Sequence, residues 1–288
     1  MNPSTDTSGL RAHDVERRLD RAAGSFDQAD FVHGVTRDGL LARMRPMTAE
    51  ATVVLDLGAA TGSAVPLLQK RFRRARVVAV DRSASMLRIA RSKRGLLSKQ
   101  REIQADARAL PFADASIDVV FSNLMLPWLD SPDAAFTEIA RVLRKDGLFA
   151  FSTLGPDSLL EIRRAWQAAD EATHVKQFPD MHDVGDALVR AGLRDPVLDV
   201  DRLAVSYGSS DALFRDLTAV GARNSLRGRQ PGLMGRDRLQ RFVDSLFTAG
   251  TGCSLTLELV YGHCWGAGTH RSGGDVAVDA SKIPFRRQ

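Results

Sequence analysis

The chain has 288 residues, 44% of them hydrophobic and 26% charged, which is the composition of a folded globular protein. Its net charge of +5 points to an acidic partner rather than a basic one, and two cysteines are too few for a disulfide framework. No apolar run approaches the length of a membrane span, and the polar start Met1-Asn-Pro-Ser-Thr-Asp-Thr-Ser-Gly9 lacks the order of a secretory leader. A cytoplasmic protein away from the membrane is expected, with Cys253 and Cys264 as reduced thiols beside an apolar stretch. The six histidines show no ligand-like spacing with the cysteines, so no metal is expected.

In chain order, residues 1–13 are expected to be disordered and residues 14–50 to form two helices, from Asp14 to Ala23 and from about Ala29 to Met44. A core follows over 51–206 and 251–267, where strands alternate with helical patterns at about 63–73, 83–94, 132–143 and 157–171. That alternation demands a mainly parallel sheet flanked by helices, an α/β fold. Asp180 is placed to cap a helix that Gly192 closes, and a strand follows at about 196–206. Residues 207–250 read as a small helical insertion over the substrate or a partner, with helices at 211–220 and 236–247. A last strand runs over 255–265, and a mobile tail over 268–288.

The chemistry begins at Val53-Val-Leu-Asp-Leu-Gly-Ala-Ala-Thr-Gly62, a buried strand running into a turn of small residues. Such a junction brings backbone N–H groups close to a ligand, with Asp56 in reach. The second strand, Arg76-Val-Val-Ala-Val-Asp81, ends in another acid, placed to suit a ribose diol. Then come Gln104-Ala-Asp106-Ala-Arg-Ala-Leu-Pro-Phe112 and a fourth strand ending in Ser122-Asn123. Together they indicate an adenosine-containing ligand.

The order LDLGAATG, AVDRSASML, QADARALPF, DVVFSNLMLPWL and RVLRKDGLFAFST resembles the class I methyltransferases that use S-adenosyl-L-methionine, over roughly residues 50 to 155. The resemblance implies a Rossmann-like, mainly parallel seven-stranded sheet. It implies Asp56 and the Gly58–Gly62 loop at the methionine part, and Asp81, with Arg82 beside it, at the ribose. Asp106 and Ala107 would meet the adenine edge, Met86 its face, and Asn123 with Leu124 the loop under the sulfonium. Ala60 stands where that family usually has glycine, and a left-handed backbone there would cost about 1 kcal/mol.

The strings LDRAAGSFDQAD, FSTLGPDSLLEIRRAW, FPDMHDVGDALVRAGLRDPVLDVD, SYGSSDALFRDLTAVGARNSLRGR, GLMGRDRLQRF and LELVYGHCWGA resemble the malonyl-carrier-protein O-methyltransferases of biotin synthesis. That family esterifies the free carboxylate of malonyl-acyl carrier protein so that pimeloyl synthesis can start, and the sequence leaves open whether malonyl-coenzyme A can stand in for the carrier-bound form. A related branch, resembling the complex I assembly methyltransferases, leaves a protein-arginine-modifying enzyme or a non-catalytic assembly factor as the alternative. Phe26 stands where the family commonly has tyrosine. Phe26, Arg21 and Trp128 are the candidates for the catalytic surroundings, although Trp128 suits packing equally well.

Six arginines against one acid between Ala222 and Arg241 offer Arg223, Arg227 and Arg229 as a docking patch for the acidic carrier protein, or else a solvated face. Without interleaved aromatics or a recognition motif, nucleic acid is not expected as a partner. His182 suits a capping role or a substrate contact, His33 the surface, and Tyr207 and Trp265 strand packing. A carboxylate acceptor is already ionised at neutral pH and needs cations or hydrogen-bond donors rather than a base.

Overall fold

A computed structural model describes residues 9–47, 50–95, 100–229, 235–247 and 252–267. Seven strands form one sheet: β1 (Val53–Leu57), β2 (Arg76–Asp81), β3 (Arg101–Gln104), β4 (Ile117–Asn123), β5 (Leu143–Leu154), β6 (Arg194–Tyr207) and β7 (Cys253–Trp265). Their spatial order is β3-β2-β1-β4-β5-β7-β6. All pairings among β1 to β5 are parallel, and β7 runs antiparallel to both β5 and β6. The expected seven-stranded, mainly parallel α/β fold is therefore present. β1 pairs with β2 on one side and β4 on the other, so the strand order reverses there and a crevice opens at the strands' carboxyl ends.

The sheet is covered on both faces, as its near-continuous apolar strands require. On one face Leu55, Leu57, Val120, Phe149 and Phe151 pack against helices α5 (Asp133–Val142) and α7 (Met181–Arg190) through Phe136, Ile139 and Leu188. On the other, Val54, Ala79, Val119 and Phe121 pack against α2 (Phe31–Met44) and α3 (Val65–Arg71) through Leu40, Met44 and Leu68. Helix starts follow their local signals: Ser83 caps α4 (Ala84–Ser92) by accepting from the Met86 amide, and Asp180 caps α7 by accepting from the His182 amide.

Two parts of the expected organisation need correction. Residues 9–13, expected to be disordered, lie against the body of the protein. Leu10 bridges Leu226, the Arg11 amide donates to the Ser225 carbonyl at 2.9 Å, and α1 (Ala12–Ala22) has begun by residue 12. The 207–250 segment is also continuous with the core. Its helices α8 (Ser210–Ala219) and α9 (Arg236–Leu246) share an apolar cluster with α6 (Leu160–Ala169) and β7, centred on Trp166, Leu213, Phe242 and Leu255. The Trp166 and Phe242 rings stack at 4.2 Å. Residues 1–8 and the tail expected to be mobile over 268–288 lie outside the described residues.

Candidate functional site

The carboxyl ends of β1 and β2 bring Asp56 and Asp81 together. Asp56 is 2% exposed, and one of its carboxylate oxygens has no partner. Burial, reinforced by the charge of Asp81, pushes its pKa up to about 7. Asp81, 8% exposed, accepts from the Ala60 amide at 2.9 Å and the Ser83 amide at 2.8 Å, one bond to each oxygen. Burial raises its pKa too, against the pull of those bonds. Two buried carboxylates, one with an orphan oxygen, form a site made for a cationic and hydroxyl-bearing ligand.

Between them the loop after β1 is tied down by Gly58 and Ala59 amides donating to the Val80 carbonyl. Gly58 and Gly62 both have φ of +78°, and a Cβ on them would lie 2.5 Å from Met125 and 2.9 Å from Ala90, so neither position admits a side chain. Ala60 has φ of +46°: the left-handed backbone is present, and the chain bears its strain at the loop's centre.

Residues 16–33 fold over this loop. Phe26 packs in one buried cluster with Met86, Ala22, Ala23 and Val220, against Ala60. Asp27 accepts from the Thr61 hydroxyl and pairs with Lys93, both at 2.5 Å, while Asp20 accepts from the Ser83 hydroxyl at 2.6 Å. Arg82 reaches Glu16 at 3.0 Å and Asp106 at 3.5 Å, so it ties α1 to the strand ends rather than pointing at the ribose position. Asp106 itself is held by Arg108, which keeps its carboxyl below the usual range, and Ala107 is buried beside it.

After β4, Asn123 donates to the His33 carbonyl at 3.0 Å and accepts from the Ser152 hydroxyl at 2.7 Å. Leu124 follows with φ of +53°, held by its amide on Ser152. Leu124 forms part of the wall of a cavity of about 1050 Å³, and Trp128, Arg21, Arg223 and Arg229 line the same cavity. The remaining wall is largely apolar, with Leu154, Leu159, Ile162 and Leu257.

His33, expected at the surface, is corrected to a cavity residue. Its ring lies 4.9 Å from that of Phe26, its Nδ1 is buried without a partner, and burial pushes its pKa down to about 4. Tyr207, expected to pack within its strand, also lines the cavity, where burial raises its pKa to about 12. His182 stands on the surface, with a side chain 79% exposed and its ring on Asp180 at 2.6 Å. Its place is the cap of α7, not the cavity. A further His–acid pair escaped the sequence: His174 meets Asp170 at 2.8 Å and stacks on Trp166 at 3.9 Å in the cavity wall. Among the described residues no group of His, Cys, Asp and Glu is gathered for a metal ion, and no helix is long and apolar enough to cross a membrane.

Comparison with known proteins agrees with this geometry. Residues 55–151 match the "Methyltransferase domain" family. The chain is 43% identical to the malonyl-acyl-carrier-protein O-methyltransferase of Laribacter hongkongensis, over 91% of this chain and 90% of that one. It belongs to that family. The enzyme of the same name from Halorhodospira halophila is 38% identical over the whole of both chains. Members are methyltransferases, and the cofactor is S-adenosyl-L-methionine. The fold is shared with YcgJ of Bacillus subtilis (TM-score 0.58, 18% identity, 79% of this chain and 97% of that one). It is shared equally with the Bacillus halodurans protein BH2331 (TM-score 0.59, 17% identity, 81% and 99%). The family's cofactor fits the residues present: the unpartnered Asp56 oxygen suits an ammonium group, and Asp81 retains lone pairs for ribose hydroxyls.

Proposed function

We propose that this enzyme transfers a methyl group to the free carboxylate of malonyl-acyl carrier protein, the acceptor that its relatives' names give. The observation that carries this is the cavity beside Leu124, apolar along its walls and bordered by arginines. Of the two histidines there, His33 is a weak base because burial pushes its pKa down to about 4, and the reaction proposed does not call on the His174–Asp170 pair. An acceptor already ionised at neutral pH needs neither as a base.

When bound, S-adenosylmethionine supplies a methyl on a positively charged sulfur. Asp56 is assigned to its ammonium group, whose charge would restore the carboxylate anion that burial opposes. Asp81 is assigned to the ribose, Met86 to the adenine face, and Asp106 with Ala107 to the adenine edge. Phe26 and α1 would exclude water above the reacting atoms. With Asp56, Asp81 and Met86 holding the cofactor, a carboxylate oxygen would take that methyl and the C–S electron pair would leave with sulfur. No proton moves, so alignment and exclusion of water do most of the work.

A nucleic-acid acceptor is disfavoured, because much of the basic segment is spent internally. Arg227 pairs with Asp130, Arg238 with Asp170, and Arg241 donates to the Ala169 carbonyl. The free, buried Cys253 and Cys264 suit a reducing cytoplasm. The test is methyl transfer from labelled cofactor to malonyl carrier protein, with acetyl carrier protein as control. Label on the malonyl form alone supports the assignment. Cofactor binding with no labelled product would turn it toward the assembly-factor alternative.

A further inference from the structure

The cations lining the cavity fall into two groups. Arg17 is paired with Asp14, Arg238 with Asp170, and the Lys176 ammonium rests on the Leu129 carbonyl. No ion pair among the described residues reaches Arg18, Arg223 or Arg229, nor Arg21 one turn further along the same helix. Arg18 is half-buried, its Nε is buried with no partner, and the carboxylate nearest to it in effect, Asp14, is the one that already bonds Arg17.

The backbone forces Arg18, Arg223 and Arg229 together. Gly221, at φ of +75°, lies against Arg18 and Ala22 of α1, where an added Cβ would sit 3.4 Å from the Arg18 carbonyl. Leu10 bridges Leu226, and the Arg227 amide donates to the Gly9 carbonyl at 2.7 Å, which holds the 221–229 segment beside the residues that lead into α1. Burial and the charges of Arg229 and Arg223 together depress the Arg18 pKa. Three like charges gathered without a counter-ion are unfavourable alone and become favourable around an anion.

Which anion follows from position. Arg223 is exposed and Arg229 half-buried, whereas Leu124, at the methyl-transfer end, is buried. The cationic group therefore stands where the cavity meets solvent, and the wall between is apolar. An acyl thioester on a carrier protein hangs from a phosphopantetheine arm, which is anionic at its protein end and carries the acyl group at the other.

We propose that Arg18, Arg223 and Arg229 form a phosphate site at the cavity mouth that holds the phosphodiester of the carrier's arm, so that the arm threads the apolar cavity toward Leu124. This rests on the carrier-protein assignment above, but its test does not require turnover. Calorimetry on the wild-type enzyme compares phosphopantetheine with pantetheine, which differ only by the phosphate. The phosphorylated compound is expected to bind at least about tenfold more tightly, as charge-assisted hydrogen bonds imply. Arg18→Met and Arg229→Met should each remove most of that preference without changing the affinity for pantetheine, and Arg18→Lys should keep part of it. If Arg18→Met lowers the melting temperature, the exposed Arg223→Gln serves in its place.

Equal affinity for the two compounds in the wild type would overturn the proposal, as would variants that weaken both alike. Coenzyme A binding more than about tenfold tighter than phosphopantetheine would also overturn it, assigning the arginines to a nucleotide thioester instead. A phosphate preference in an enzyme that fails to label malonyl carrier protein would support the phosphate site and count against the proposed acceptor. Labelling without the preference would do the reverse.

Discussion

Replacing Asp56 by asparagine should make the cofactor-free protein more stable while weakening its hold on the cofactor. Burial and Asp81 raise the Asp56 pKa from 3.8 to about 7, a shift of roughly three units at about 1.4 kcal/mol each, or about 4 kcal/mol in all. The sign follows from linkage. The folded state binds this proton more tightly than the unfolded one, so the stability it contributes is fully present below pH 3.8 and lost as pH rises through about 7. Asparagine carries no charge to be penalised, but its amide inherits the orphan position and costs about 1–3 kcal/mol.

The net gain above pH 8 is therefore about 1–3 kcal/mol, or roughly 5 °C in melting temperature for a chain of this size. Near pH 5 most of the wild-type penalty has gone, and the two proteins should melt together or with the variant slightly lower. Thermal melts without cofactor at pH 5 and pH 8.5 measure this, and calorimetry with S-adenosylhomocysteine should show at least a tenfold loss of affinity. A variant that melts lower than wild type by the same amount at both pH values would refute the reasoning, because Asp56 would then stabilise the fold as an anion.

Asp81→Ala should abolish cofactor binding in the same calorimetry and also free the Ala60 and Ser83 amides; unchanged affinity would remove Asp81 from the ribose. Ala60→Gly relieves a left-handed alanine worth about 1 kcal/mol but gains unfolded-state entropy of about 0.4–1 kcal/mol, so its melting temperature should stay within about 2 °C of wild type. A larger fall would show that the methyl's contact with the Phe26 cluster matters more than backbone strain, and a larger rise that the strain exceeds this figure. Asp27→Ala removes the contacts to Thr61 and Lys93, each worth under about 1 kcal/mol at this exposed position. Amide exchange in Phe26–Gln28 should then quicken several-fold while the sheet stays protected, and equal protection in both proteins would mean that the clamp is incidental.

Much of the geometry at the carboxyl ends of β1 and β2 could be read directly because its signals are local. A strand that ends in an acid and a glycine turn needs only a few adjacent residues, and the left-handed φ at Gly58, Ala60 and Gly62 follows from that short span. The acceptor half depends on contacts far apart in sequence. His33 lies on an N-terminal helix and so reads as a surface residue, whereas its burial depends on Phe26 and on Asn123, ninety positions away. The placement of residues 9–13 was hidden for the same reason, since Leu10 gains its partner only when Leu226 arrives.

The arginine cluster shows what tertiary pairing adds to composition. In sequence Arg223, Arg227 and Arg229 are the first three arginines of one basic run and were equal candidates for docking. In the fold Arg227 turns to Asp130 and its backbone carbonyl accepts from Arg11, so its charge is spent on the contact that holds residues 9–11. Arg229 and Arg223 keep theirs and are joined by Arg18, which lies more than two hundred positions earlier and stood out in no sequence pattern. Reversing all three arginines of the run would thus mix the loss of an anchor with the loss of a ligand contact. A carrier protein meeting this surface is met by the charges that no internal carboxylate has claimed, and those mark out a mouth on the cavity rather than a flat patch.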